Sequence, residues 1–269
     1  MRMNKKEDSW SGEHYKENKP FQSHDWALDS IEKINFKGDE IILDIGCGDG
    51  KITAEISKKV PSGRVLGIDF SQNMIETAKK SYGHISNISF KVADATNFIA
   101  KEKFDLITSF FVFHWIEDLL IVLKNIKKNL KPDGKIIFII AETQKDSPID
   151  FAFESLEKEG VWKEAIKNCK KNYHPKSKEE IEILLEKAGF KKKEIKIIPR
   201  ISGSPSMEIT VKSLMRSIPH SSGLLHEKAL EFCSDLAKEM YGKLNKKPDE
   251  PIEFKSSFLL VEDKFELIN

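Results

Sequence analysis

Short apolar segments alternate with amphipathic segments through the central part of the chain, and this alternation restricts the possible folds more than any other feature. Apolar segments of the length of buried strands occupy residues 40–46, 64–70, 88–94, 104–111 and 135–141. Helical periodicity is found between them at residues 52–60, 72–83 and 118–130. Strands that alternate with helices form βαβ units, which build a parallel sheet covered by helices on both faces. The sequence therefore predicts an α/β fold with a doubly wound, mostly parallel sheet.

The pattern changes after residue 141. Residues 177–190 have the periodicity of an amphipathic helix with Ser177 as its N-cap, and residues 193–201 are typical of a strand. A last strand with a bulge or turn is predicted over residues 252–266. We interpret the polar, largely helical residues between these two strands as an insertion that could act as a lid or specificity element. The predicted organisation is an N-terminal helical cap, a core, a helical insertion and a C-terminal strand that completes the core, at residues 1–34, 35–201, 202–247 and 248–269.

Composition excludes several classes of partner. The chain has 269 residues, and its 44 basic and 43 acidic residues give a formal net charge of +1, which provides no electrostatic footprint for nucleic acid. No apolar run approaches the roughly 20 residues that a membrane-spanning helix needs. Cys47, Cys169 and Cys233 form no CxxC pair, which argues against a disulfide scaffold or a cysteine-rich zinc site. We expect a cytoplasmic protein that binds no nucleic acid, membrane or metal and is by default a monomer.

The segment LDIGCGDGK (43–51) follows the first predicted strand and is the most informative part of the chain. Asp44 is followed by glycines at alternate positions, Gly46, Gly48 and Gly50. Glycine lets a strand turn sharply into a helix while a ligand approaches the backbone. The GxGxG spacing differs from the GxGxxG of dinucleotide sites, and Asp44 would repel a diphosphate but attract an amino group. An ordinary glycine-rich turn is the alternative interpretation.

Carboxylates also end the next two predicted strands. Asp69 lies about 20 residues beyond the glycine loop, where nucleoside-binding doubly wound folds place the ribose-binding carboxylate. Phe70 and Met74 could pack on a purine, or could simply be core residues. Asp94 and Ala95 end the third strand, where a carboxylate can accept a hydrogen bond from an exocyclic adenine amine or cap a turn.

Taken in order, LDIGCGDGK, GIDFS, VADAT, FDLITSFFVFHW and LKPDGKIIF resemble the class I S-adenosylmethionine-dependent methyltransferases over roughly residues 35–141. The resemblance implies a Rossmann-like, seven-stranded sheet whose last strand is antiparallel, and S-adenosyl-L-methionine as cofactor. It implies that the glycine loop surrounds the methionine moiety, that Asp69 binds both ribose hydroxyls and that Asp94 meets the adenine amine. The candidate cofactor-binding residues are Asp44, Gly46, Cys47, Gly48, Gly50, Asp69, Phe70, Met74, Asp94, Ala95 and Ser109.

The segment HYKENKPFQSHDWALDSI, together with His114 and Trp115 after the fourth strand, resembles a narrower group. This group contains the trans-aconitate, juvenile-hormone-acid and malonyl-carrier-protein methyltransferases, which act on carboxylates. The resemblance implies O-methylation of a small organic acid, and because a carboxylate is already ionised at neutral pH, we expect no general base. The candidate substrate-binding residues are Tyr15, Gln22, His114, Trp115, Arg200 and Arg216.

Other functions stay open at this point. The same fold could methylate an amine, a phenol or an acyl chain bound to a carrier protein, or it could be a non-catalytic nucleoside-binding module. A nicotinamide-dependent oxidoreductase agrees less well with the GxGxG spacing and Asp44. The fourth strand is not followed by a [DN]PP[FY] loop, which argues against N-methylation of a base or of glutamine by that route.

Overall fold

The computed structural model describes residues 23–144, 147–191 and 193–262, and every structural statement below refers to these residues. The strands are β1 (Ile41–Ile45), β2 (Arg64–Asp69), β3 (Ile88–Val92), β4 (Phe104–Phe110), β5 (Leu130–Ala141), β6 (Glu194–Ser204) and β7 (Ile252–Glu262). The helices are α1 (Ser23–Ile31), α2 (Lys51–Lys59), α3 (Gln72–Tyr82), α4 (Leu119–Asn129), α5 (Pro148–Glu159), α6 (Lys163–Asn172), α7 (Lys178–Lys187), α8 (Met207–Leu214), α9 (Ile218–Ser222) and α10 (His226–Lys243). A short 3₁₀ turn (Phe113–Trp115) follows β4.

The strands form a single seven-stranded sheet in the order β3-β2-β1-β4-β5-β7-β6. The pairs among β1 to β5 are parallel, and β7 is antiparallel to both of its neighbours. The predicted doubly wound, seven-stranded sheet with an antiparallel last strand is therefore confirmed.

Both faces of the sheet are covered, which explains why its central strands are almost continuously apolar. Ile42 of β1 faces a buried cluster that includes Ile31 of α1 and Ile56 of α2. Leu43, the next residue, faces the opposite cluster, to which α4 and α7 contribute. Successive side chains of β1 therefore point to opposite faces of the sheet and pack into two different apolar clusters.

The cap of α7 forms as the sequence predicts. The Ser177 hydroxyl accepts a hydrogen bond from the Glu180 backbone N–H, and the Glu180 carboxylate accepts one from the Ser177 backbone N–H. This reciprocal pair is a capping box, which fixes the start of the helix.

The last strand differs from the prediction. The pairing of β7 with β6 runs without a shift from Glu194–Glu262 to Ser204–Ile252, so the described part of β7 contains no bulge or turn. The consecutive apolar residues Phe258 to Val261 break the alternation of a one-sided strand. The cause is burial on both faces, because Leu259 and Val261 pack into the cluster on one face of the sheet and Leu260 packs into the cluster on the other.

A third apolar cluster lies outside the sheet. Trp162, Phe232 and Tyr241 are among its buried residues. Most of the cluster comes from five helices, which together we call the cap: α5, α6, α8, α9 and α10. Helices α5 and α6 belong to residues that the predicted division assigned to the core, so the cap is larger than the insertion over 202–247. All five helices connect strands at the edge of the sheet where β5 and β6 end.

No helix in the described ranges is both long and apolar enough to cross a membrane.

Candidate functional site

The ends of four neighbouring strands bring the predicted residues to one edge of the sheet. Strands β3, β2, β1 and β4 are adjacent and parallel, so the residues that follow them meet at the same edge. Asp94 follows β3, Asp69 ends β2, the glycine loop follows β1, and the 3₁₀ turn with His114 and Trp115 follows β4. In doubly wound sheets a ligand crevice is expected at this edge, where the strand order reverses beside β1.

The glycine loop is held against β2 by its own backbone. The N–H groups of Gly46 and Cys47 both donate to the Ile68 carbonyl, at 2.7 and 3.0 Å. Gly46, Gly48 and Gly50 all have positive φ, with values of 71°, 54° and 82°. This is the left-handed region that favours glycine, so the spacing of the glycines follows from the shape of the turn.

Two of these glycines have opposite surroundings. A Cβ atom on Gly46 would overlap the methyl groups of Val112, whereas a Cβ atom on Gly48 would meet no other atom within 4 Å. Gly46 is therefore needed for close packing of the protein itself. Gly48 presents its backbone to open space, as a ligand cradle requires.

The Asp69 carboxylate is fixed by two backbone amides. Its Oδ2 accepts from the Gly48 N–H at 3.0 Å, and its Oδ1 accepts from the Ser71 N–H at 2.9 Å. The two amides thus fix the direction of both carboxylate oxygens. The side chain is half-buried and links the glycine loop to the start of α3.

Asp44 lies beneath the loop and is 2% exposed. The Thr53 and Thr108 hydroxyls donate to its two carboxylate oxygens, at 2.6 and 2.8 Å. Burial raises the pKa of Asp44 to about 6; the two threonine hydrogen bonds act in the opposite direction, and the negative charge of Asp69 adds to the increase. A cation above the loop would stabilise the ionised form of this carboxylate and lower its pKa.

Asp94 shapes the turn after β3. Its Oδ1 accepts from both the backbone N–H and the hydroxyl of Thr96, at 2.8 and 2.7 Å. The neighbouring Ala95 carbonyl accepts from the Asn125 side chain at 3.2 Å. These bonds fix the backbone of the turn after β3.

The chain leaves β4 through an unusual backbone conformation. Phe111 has a φ of 61°, a rare value for a bulky residue that is not glycine. Its ring packs edge-on against Phe258 and also contacts Trp26, which holds the conformation in place. The sharp bend directs Val112 onto Gly46 and brings the 3₁₀ turn to the crevice. Strained backbone of this kind is concentrated at functional sites.

His114 is a buried, neutral imidazole. It is 6% exposed, and burial lowers its pKa to about 3. Its Nδ1 accepts from the Ala141 N–H at 3.3 Å, so the proton of the neutral ring is on Nε2. The backbone around it is also fixed, because the His114 carbonyl accepts from the His174 N–H at 2.7 Å. The site therefore contains an N–H donor with a defined tautomer.

Aromatic rings extend from His114 across the crevice. Tyr173, which follows α6, lies 5.3 Å from the His114 ring and 5.2 Å from the Trp115 ring, measured between centroids. His220 of α9 lies 5.9 Å from Trp115 and 6.1 Å from Phe70. Tyr173 is 41% exposed as a residue, and desolvation, with a smaller contribution from the negative charge of Asp150, raises its pKa to about 12. The rings of Trp115, Tyr173 and His220 thus lie together in front of the 3₁₀ turn.

Three of the predicted cofactor-binding residues have their side chains inside the protein. The Cys47 thiol packs with Ala78 and Phe90, and burial raises its pKa well above the usual range. Met74 is 4% exposed, and the Ser109 hydroxyl donates to the Ile45 carbonyl at 2.9 Å. Cys47 and Ser109 can therefore contribute backbone atoms and support, while their side chains stabilise the strand ends.

Of the six predicted substrate-binding residues, two lie beside the glycine loop and Tyr173, two are arginines on other elements, and two lie outside the described residues. His114 and Trp115 lie at the crevice. Arg200 does not, because it lies on the edge strand β6, where its guanidinium stacks on Trp26 at 5.3 Å. Arg216 is half-buried between α8 and α9. Tyr15 and Gln22 lie outside the described residues.

The sequence did not single out Tyr173 or His220. Each lies in the part of the chain without a recognisable motif, and each reaches the crevice only because α6 and α9 pack together in the cap. Nothing in the local sequence distinguishes them from other aromatic residues near helix ends.

The ranges that the structure describes contain no group of three or more histidine, cysteine, aspartate or glutamate side chains placed to hold a metal ion.

Comparison with known proteins agrees with this geometry. A family model described as a methyltransferase domain matches residues 36–189, more than half of the chain. The juvenile hormone acid O-methyltransferase of Bombyx mori is 27% identical over 266 residues, which cover 92% of this chain and 94% of that protein. The malonyl-[acyl-carrier protein] O-methyltransferase 1 of Ilyobacter polytropus is 37% identical over 97 residues, which span 36% of each protein.

The fold is also found among solved structures. A phosphoethanolamine N-methyltransferase 2 from Haemonchus contortus, in complex with phosphomonomethylethanolamine and S-adenosylhomocysteine, superposes with a TM-score of 0.59 at 18% identity. The match covers 94% of this chain and 56% of that chain, and at this identity it shows the fold alone. The chain belongs to the methyltransferase-domain family, and it is an S-adenosylmethionine-dependent methyltransferase.

Gly46 and Gly48 provide a matched pair of substitutions. Gly46→Ala should destabilise the protein by about 2–4 kcal/mol, because strain at positive φ adds to the overlap with Val112. Gly48→Ala should cost only about 1–2 kcal/mol, but it should weaken cofactor binding, since the new methyl group enters the space above the loop. Denaturant unfolding and calorimetric titration with S-adenosyl-L-methionine measure the two effects. Parent-like cofactor affinity in Gly48→Ala would show that the cofactor does not pass over this residue.

Asp44 should make the stability of the protein without cofactor depend on pH. Its pKa rises from 3.8 to about 6 on folding, so the folded state binds the proton more tightly. The resulting stabilisation is complete below pH 4 and is lost as the pH rises to 6, a decrease of about 3 kcal/mol. Unfolding by urea between pH 4 and 7 should show this decrease in the parent and a flatter curve in Asp44→Asn. The exposed Asp133→Asn is the control, and equal slopes in all three proteins would contradict the assignment.

Proposed function

We propose that the protein transfers a methyl group from S-adenosyl-L-methionine to the carboxylate of a small organic acid. The observation that carries the cofactor half of the proposal is the Asp69 carboxylate, held by the Gly48 and Ser71 amides beside an open glycine backbone. A diol-binding carboxylate next to a glycine turn suits a ribose in a doubly wound sheet. Bound there, the cofactor supplies an electrophilic methyl group.

The residues of the crevice fit this cofactor in size and charge. Gly48 leaves room for a ligand against the loop, and Asp44 and Asp69 together provide a negative potential. That potential favours a ligand with ammonium and sulfonium charges over a diphosphate. Asp94 and Ala95 border the same edge at the end of β3, where we assign the adenine.

The acceptor half of the proposal rests on the protonation states around the 3₁₀ turn. His114 is neutral and weakly basic with a pKa of about 3, and Tyr173 keeps its proton up to a pKa of about 12. Both side chains can donate hydrogen bonds at neutral pH, but neither is suited to remove a proton. A carboxylate needs no deprotonation before it attacks, and two donors can orient its non-attacking oxygen.

The aromatic walls contribute by excluding water. Trp115, Tyr173 and His220 surround the region in front of the 3₁₀ turn. A carboxylate that leaves water becomes a better nucleophile, and the aromatic faces favour a sulfonium. The juvenile hormone acid O-methyltransferase, which aligns with nearly the whole chain, is named for an acid acceptor.

A phenol or amine acceptor is the second candidate. His220 is a further imidazole beside Trp115 and could serve as its general base. The two candidates differ in their pH dependence, because an acceptor that must lose a proton gives a rate that rises with pH.

Methyl transfer to a panel of acids, phenols and amines tests the proposal. With labelled S-adenosyl-L-methionine at saturation, label should enter acids only, as alkali-labile esters, at a rate that is flat above pH of about 5. Asp69→Ala should weaken cofactor binding by about tenfold or more, since hydrogen bonds to a charged group are lost. Asp133→Ala, at the opposite edge of the sheet, is the control. Label in phenols or amines, or a parent-like affinity in Asp69→Ala, would contradict the assignment.

His114 should act on the acceptor rather than on the cofactor. His114→Leu removes the N–H donor, and we expect kcat/KM for the acid to fall by about 10- to 100-fold while cofactor affinity is retained. His114→Gln keeps an amide donor and an acceptor for the Ala141 N–H, so it should retain more activity. His84→Leu, an exposed histidine after α3, controls for loss of an imidazole. Equal activities of the Leu and Gln variants would rule out the donor role.

A further inference from the structure

A side chain of the cap bridges the crevice from one wall to the other. The His220 ring contacts Phe70, which directly follows β2, and Trp115, which belongs to the turn after β4. Strand β1 lies between β2 and β4 in the sheet, and the glycine loop follows β1. A ring that contacts both flanking residues therefore spans the mouth of the loop.

The distances from the His220 ring to Phe70 and to Trp115 agree with a ring that spans the gap between β2 and β4. Strands two positions apart in a sheet are separated by about 9–10 Å. The ring of His220 is 6.1 Å from Phe70 and 5.9 Å from Trp115, so one imidazole between two aromatic rings covers that width. A ligand that lies along the strand ends passes beneath or against this bridge.

Helix α9 is attached to the cap. The side-chain amides of Asn168 and Asn172 on α6 donate to the carbonyls of Ser222 and Ser221, at 3.1 and 2.7 Å. Ile218, at the start of α9, is buried in the cap cluster. The position of His220 over the crevice is thus set by the packing of α9 on α6.

We propose that His220 closes the site over the bound cofactor and limits how fast the cofactor enters and the demethylated product leaves. This inference rests on the proposed function, because it requires S-adenosylhomocysteine to occupy the crevice. It assigns to the cap a direct role at the cofactor, through one residue. A closing residue slows association and dissociation alike, whereas an ordinary contact slows dissociation only.

Stopped-flow binding of S-adenosylhomocysteine to the 269-residue protein, without acceptor, tests the proposal. In His220→Ala both the association and the dissociation rates should increase, by about three- to tenfold, as expected for the loss of aromatic contacts. His220→Phe keeps a ring between Phe70 and Trp115 and should restore slow exchange. His84→Ala, on the opposite side of the sheet, is the matched control and should exchange like the parent.

Circular dichroism shows whether His220→Ala folds like the parent, and a second variant tests the proposal if it does not. Asn172→Ala keeps the His220 side chain but removes the hydrogen bond to the Ser221 carbonyl, so α9 holds the ring less firmly over the site and both rates should again increase. Unchanged rates, or an increase in dissociation alone, would overturn the closing role and leave the proposed function intact. Failure of the parent to bind S-adenosylhomocysteine would overturn the proposed function and this inference together.

Discussion

The hydrogen bond between the Gly48 N–H and the Asp69 carboxylate connects the two parts of the chain on which the site depends. It joins the turn after β1 to the end of β2, and the second oxygen of the same carboxylate receives the Ser71 N–H at the start of α3. The carboxylate therefore organises its own surroundings before any ligand binds. Such preorganisation lowers the cost of fixing a ligand, because the receiving groups do not have to be ordered.

In the function we propose, different parts of the chain carry the two tasks of methyl transfer. The ends of β1 to β3 provide the groups assigned to the cofactor, and all of them belong to the parallel half of the sheet. The groups assigned to the acceptor are in the turn after β4 and at Tyr173, which follows α6, while His220 of α9 contacts residues on both sides. Because the cap consists of segments that follow β5 and β6, its sequence can vary without disturbing the glycine loop. This arrangement agrees with a family in which one cofactor serves many acceptors.

The sequence predicted the features that depend on local signals. Alternating apolar and amphipathic segments indicated the sheet, and Ser177 with Glu180 indicated the start of α7, because backbone geometry and capping act over a few residues. The composition of the cap cluster was not predictable in the same way, since α5 and α6 meet α10 only after the chain has passed through α7, β6, α8 and α9.

Backbone conformations at the site also divide into those that local sequence predicts and those that depend on distant contacts. The positive φ values of the glycine loop can be inferred from the glycines themselves. The left-handed backbone of Phe111 cannot, because its own side chain disfavours that conformation and only the packing against Phe258 and Trp26 maintains it. Strain that is compensated by distant contacts leaves no local trace in the sequence.

The electrostatics of the loop explain why the GxGxG turn suits one nucleoside cofactor better than another. Burial and the charge of Asp69 both raise the pKa of Asp44, so the ionised carboxylate is costly in the protein alone. A ligand with positive charges near the loop lowers that cost, while a diphosphate would increase it. After methyl transfer the sulfonium charge is gone, and the product loses part of this attraction. The two carboxylates should therefore hold the charged cofactor more tightly than its demethylated product, which is the direction that turnover requires.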